Sequence, residues 1–117
     1  MPDFPLQRNL AELKKILDSD PTSIEAANRY WSALASFGGN DVRSGGYAIE
    51  AFRASALASE EGTVALARAY QELFRKTGEV PRAVLFDEEL RQTLRRRLSE
   101  LSGEERGLVE WVLSFIK

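Results

Sequence analysis

The sequence predicts an all-α fold, a single domain over residues 1–117 built as an irregular bundle of about six helices, with stacked helical hairpins as the alternative arrangement. Three observations carry this. Apolar residues recur every three or four positions along most of the chain. Ser, Asp and Gly stand where such runs begin and end. No segment shows strand-like alternation between turn residues.

Leu6, Leu10, Leu13 and Leu17 form the apolar face of a first helix closing near Asp18, with Glu12, Lys14 and Lys15 on the other side. Two start signals follow: Asp20 capping with Pro21 at the first helical position, or Thr22 and Glu25 as a capping box. Ile24, Ala27, Trp31 and Leu34 are the stripe of the second helix, flanked by Tyr30 and Phe37, and Gly38 sits at its C-cap. A third helix starts between Ser44 and Tyr47, ends near Ala58 and buries Ala48, Ala51 and Phe52. Ser59 caps a fourth, whose core face is Leu66, Ala67, Tyr70, Leu73 and Phe74 and whose end is Gly78. Residues 80–86 read as a short helical turn before Asp87 opens a fifth helix with Leu90, Leu94, Leu98 and Leu101. Ser102 and Glu105 form a second capping-box pattern ahead of a last helix through Leu108, Val109, Trp111, Val112, Leu113, Phe115 and Ile116. A shift of 40 positions aligns Ala27, Tyr30, Leu34 and Gly38 with Ala67, Tyr70, Phe74 and Gly78. This spacing misses the ~34-residue tetratricopeptide period, so it assigns no repeat family.

The composition narrows the chemistry. The chain has no histidine and no cysteine, so it lacks the usual neutral-pH proton carrier, the thiol nucleophile and the soft metal ligand. Its net charge of −2 provides no global field toward nucleic acid or an anionic membrane. No apolar run approaches the ~20 residues of a membrane span, and residues 1–6 lack the pattern of a secretory signal. With no disulfide framework, the expected compartment is the cytoplasm.

Four constellations stand out. Residues 38–46 hold four glycines in nine positions. Successive amides ahead of a helix can cradle an anion, with Arg43 adding charge. The stretch lacks the Gly-Lys-Ser/Thr ending of a nucleotide loop, and turn geometry at Gly38, Gly45 and Gly46 is the plainer account. Asn40, Asp41 and Arg43 are its candidate partner-binding residues. Residues 75–98 carry a local charge of +3. Arg91 and Arg95, one turn apart, are the candidate contacts there, while Asp87–Arg91 and Arg96–Glu100 pairing is the ordinary reading. The pairs Glu60/Glu61, Glu88/Glu89 and Glu104/Glu105 fall in first turns of predicted helices, where negative charge offsets the helix dipole. The last helix is apolar over more than one face, so Trp111 and Phe115 are candidates for a partner or dimer interface.

The expected function is a small cytoplasmic protein–protein interaction or regulatory module. It is expected to have no catalytic activity, no cofactor and no metal. The expected partner is another protein or a second copy, rather than nucleic acid or membrane. One alternative is an immunity-type inhibitor of a toxin or enzyme, with Asp41 or Glu88 at its contact surface. The other is a ligand-binding or catalytic bundle. It needs a pocket between the second and fourth predicted helices near Tyr30 and Tyr70, with Arg29 or Arg68 at its mouth.

Overall fold

The computed structural model describes residues 3–36, 40–79 and 81–116, and the side chains of these except at 3–8, 40, 41 and 116. The expectations for Phe37, Gly38 and the Leu6, Asn40, Asp41 and Ile116 side chains lie outside the described residues. The chain is all-α: α1 (Asp3–Ser19), α2 (Ile24–Ala35), α3 (Asn40–Ser44), α4 (Gly46–Ala58), α5 (Glu60–Thr77), α6 (Glu88–Arg97) and α7 (Gly103–Leu113). Short 3-10 turns at Ala83–Phe86 and Ser114–Ile116 precede α6 and follow α7.

The helix starts follow local hydrogen-bond chemistry. Ser59 accepts the Gly62 amide at 3.0 Å and Asp87 accepts the Leu90 amide at 3.1 Å, each satisfying a donor that the first turn leaves unpaired. Gly78 closes α5 in the left-handed conformation, its amide donating to the Phe74 carbonyl at 2.8 Å. Three expectations are corrected. Ser23, rather than Asp20 or Thr22, caps α2, accepting the Ala26 amide at 3.2 Å. Ser102 occupies the N-cap of α7 without a side-chain cap bond, so the capping box does not form. Inside the glycine-rich stretch, Asn40–Ser44 is a short helix rather than open loop.

The core is organised on the α4–α5 hairpin, whose two helices are joined by Ser59 alone. α4 contributes small residues to the contact, with Ala48, Ala51, Ser55 and Ala56 all buried beside Phe52. Small side chains let the helix axes approach closely, and Gly62 marks the tightest point. A Cβ at Gly62 would lie 1.9 Å from the Ser55 carbonyl oxygen. That partner is backbone and cannot swing aside. Next to it the fully buried Thr63 hydroxyl donates to the Ala56 carbonyl at 2.8 Å, so the close approach leaves this hydroxyl satisfied. Gly45, at φ 88°, meets α5 from the other end of α4, where a Cβ would come within 2.9 Å of the Tyr70 ring. Both the backbone angle and the ring require glycine there.

The other helices attach to this pair. α2 packs on α4, and the Tyr30 hydroxyl donates to Glu50 Oε1 at 3.1 Å. Burial first, then the Glu50 carboxylate, pushes the Tyr30 phenol up to about 12. α1 packs on α2, burying Leu17 and half-burying Leu10 and Leu13. α6 is tied to α4 at both ends. Arg53 donates from Nε to Asp87 at 2.7 Å and from Nη2 to Glu89 at 3.0 Å, while Arg97 donates to the Leu57 carbonyl at 3.2 Å. The expected Asp87–Arg91 and Arg96–Glu100 pairs are replaced, because Asp87 faces Arg53, Arg91 pairs with Glu88, and Arg97 takes Glu100. The long-range contact wins at Asp87 because its carboxylate already points back to cap α6. Leu34 is buried whereas Phe74 is 38% exposed, so these two aligned positions differ and Phe74 leaves the predicted core face.

Two predictions follow from these contacts. Gly62→Ala should destabilise the protein by about 2–3 kcal/mol, as overpacking does, despite the better helix propensity of Ala. Gly107→Ala, on α7 with open space around the new Cβ, should instead stabilise it by about 0.5–1 kcal/mol. Urea denaturation of both variants against wild type checks the pair. The hydrogen bond from Arg53 holds the Asp87 carboxyl below the usual carboxylate range. A depressed folded-state pKa gives stability that is present above the unfolded value, about 3.9, and lost as pH falls through the lower folded value. Asp87→Asn keeps a good cap residue but removes the charge, so its acid limb below about pH 4 should be shallower than wild type. Asp87→Ala removes cap and charge together and should cost about 1–2 kcal/mol at neutral pH. Denaturant midpoints between pH 2 and 7 separate the two.

Candidate functional site

α7 runs beside α5 in the same direction: Glu105 shares a cleft with Glu61, and one helical stretch further on Trp111 meets Phe74. Between the two helices lies a groove of about 580 Å³, lined by Gln71, Phe74 and Arg75 from α5 and by Glu104, Gly107, Leu108 and Trp111 from α7. Gly107 leaves it open, because no atom lies within 4 Å of where its Cβ would stand. Three rings form a ladder along one side. Phe74 and Trp111 meet edge to face with centroids 5.6 Å apart, and Trp111 and Phe115 do so at 4.8 Å. Leu108, Val109 and Val112 are buried against the core, while Trp111 and Phe115 are only half-buried. The breadth of the apolar surface on the last helix thus divides between core and groove. Arg75 and Glu104 stand on the groove without an ion-pair partner among the described residues. Phe86 is more exposed, at 87%, but it stands alone on its turn, and single exposed apolar side chains are ordinary.

A second cavity, a cleft of about 350 Å³, lies between α2 and α5 and reaches the N-terminus of α7. This is the helix pair expected to hold a pocket. Arg68 lines it, whereas Tyr30, Tyr70 and Arg29 do not. Tyr30 turns to Glu50, and Tyr70 is fully buried beneath Gly45. Burial raises the Tyr70 phenol pKa, a Val84 backbone contact acting the other way. Arg29 pairs with Glu25 at 2.7 Å on the outer face of α2.

The remaining sequence candidates are separated in space. Arg43 is exposed and pairs with Glu79 at 3.7 Å, and the Ser44 carbonyl accepts the Arg82 amide at 2.8 Å. Asn40 and Asp41 fall on the five-residue α3. The arginine cluster splits. Arg91 is drawn in toward Glu88 and Arg97 toward Glu100 and Leu57, each with its Nε sealed from solvent. Arg95 and Arg96 are exposed in the last turn of α6, where positive charge complements the helix dipole. Arg91 and Arg95 therefore do not present one continuous basic face. The three Glu pairs occupy first turns of α5, α6 and α7. Sequence reasoning missed Phe74, Gly107 and Glu104 as groove residues. Gly107, a glycine inside an otherwise regular helix, was the available signal.

Among the described residues no group of His, Cys, Asp or Glu is arranged to hold a metal ion, and no helix is long and apolar enough to cross a membrane. No protein family, curated protein or solved structure matches this chain.

Proposed function

We propose that this chain is a protein–protein interaction module that holds an amphipathic helix of a partner protein in the α5–α7 groove. The observation that carries the reading is the Phe74–Trp111–Phe115 ladder beside a groove opened by Gly107. Aromatic side chains in partly enclosed positions are the usual energetic centres of interfaces. A groove between two helices running side by side receives a third helix through apolar anchors spaced one turn apart. The unpaired Arg75 and Glu104 set the charge pattern of the partner: an acidic residue opposite the first and a basic one opposite the second.

The test is affinity purification from the source lysate at high salt, using wild type, Trp111→Ala and Gly107→Leu. Leucine suits a helix but fills the groove. A stoichiometric partner retained by wild type and lost from both folded variants is the expected result. Equal retention of that partner by Gly107→Leu overturns the reading. Sedimentation of the purified chain covers self-association, since a dimer that dissociates in the same two variants would make the partner helix a second copy.

A further inference from the structure

We propose that the helix received by the α5–α7 groove is α7 of a second copy, so that the chain forms a two-fold symmetric dimer in which Arg75 of each copy pairs with Glu104 of the other. The proposal rests on the reading of that groove given above and names its occupant.

The first support is charge of opposite sign at the two ends of the groove. Trp111 meets Phe74, and Arg75 follows Phe74 in the chain, so Arg75 marks the end where the aromatic ladder stands. Glu104 lies two turns before Trp111 on α7, roughly 10.5 Å along the axis, and marks the other end. Both side chains are exposed, and neither has an ion-pair partner among the described residues. A helix seated here has to bring negative charge to the first end and positive charge to the second. A second copy brings both. A two-fold axis lying in the contact plane across the middle of the groove exchanges its ends, so Glu104 of the second copy stands over Arg75, and Arg75 of the second copy over Glu104. The match holds whatever the distance between the two charges, because the axis passes through their midpoint. An unrelated helix has to meet that distance through its own sequence.

The second support is the form of α7 itself. Glu104, Gly107, Leu108 and Trp111 recur along its groove side at the spacing of one helix face. This is the kind of helix the groove takes, with an acidic residue at one end and an aromatic anchor two turns on. Gly107 and Leu108 stand at the middle of α7. Two antiparallel copies crossing there set each Trp111 against the Glu104–Gly107 turn of the other. No atom lies within 4 Å of a Cβ placed on Gly107, so the two axes can approach closely and the half-buried Trp111 ring has room to pack. Apolar surface thus meets at the centre and the ion pairs close the two ends.

The experiment is sedimentation of the purified full chain as wild type, as Arg75→Glu, as Glu104→Arg, and as an equimolar mixture of these two variants. The expected result is a concentration-dependent wild-type dimer, weakened at least about tenfold by either reversal alone, since each sets like charges face to face twice. The mixture should regain the wild-type affinity, because one Arg75→Glu copy and one Glu104→Arg copy restore two opposite pairs. Both substitutions fall at exposed positions, and helical circular dichroism equal to wild type shows that the variants are folded. A wild-type chain that stays monomeric up to about 0.3 mM overturns the proposal. So does a dimer indifferent to the reversals, or a mixture that associates no more tightly than its components. A monomer that captures a different protein through Trp111 overturns this occupant and leaves the reading of the groove standing. A monomer that captures nothing through Trp111 overturns both.

Discussion

The contact on which the rest of the molecule depends is backbone against backbone: Gly62 of α5 seated on the Ser55 carbonyl of α4. Because no side chain fits there, the alanines of α4 reach the surface of α5 and the two helices act as one wall. α2 and α6 both lean on α4, one through Tyr30 and Glu50, the other through Arg53 and Asp87. α7 leans on α5. Both cavities use α5 as their shared side.

Charge placement follows the same frame. Arginines that bridge elements take specific acceptors: Arg53 two carboxylates at the start of α6, and Arg97 the Leu57 carbonyl near the end of α4. These bonds join elements distant in sequence and are stronger than neutral ones. The pairs along single helices, such as Lys76 with Glu72 and Arg106 with Glu110, are exposed and contribute little beyond local helicity. Some of the charges outside both sets stand on the rims of the two cavities. Arg68, Glu61 and Glu105 do so in one, and Arg75 and Glu104 in the other.

Much of the fold is legible in the sequence where the deciding forces are local. Ser59, Asp87 and Gly78 end or begin helices through bonds to residues three or four positions away, and a reader can count those positions. At the start of α2 three polar residues compete within four positions, and the hydroxyl facing the Ala26 amide wins, a matter of torsion rather than of residue type. Phe74 defeats periodicity because the width of the covered stripe on α5 depends on how far α7 extends over it. The pocket between α2 and α5, and Arg68 on it, could be anticipated from helix pairing. Tyr30 and Tyr70 could not be placed, since each is captured by a residue far along the chain, Glu50 and Gly45 respectively. Gly62 reads locally as a weak helix former, and only the tertiary contact shows its purpose.

Ser59 ends α4 and begins α5 at once, with extended backbone and one hydroxyl capping the second helix. A corner of one residue has no slack. Adding a single residue would turn α5 by about 100° about its axis relative to α4, carrying Gly62 away from Ser55 and presenting a bulkier side chain in its place. Length variation is thus barred at this corner, while residues 20–23 and 98–102 connect helices without such a crossing beside them. The number of residues across the α4–α5 corner is itself a specification of the fold, enforced by steric exclusion rather than by any attractive contact.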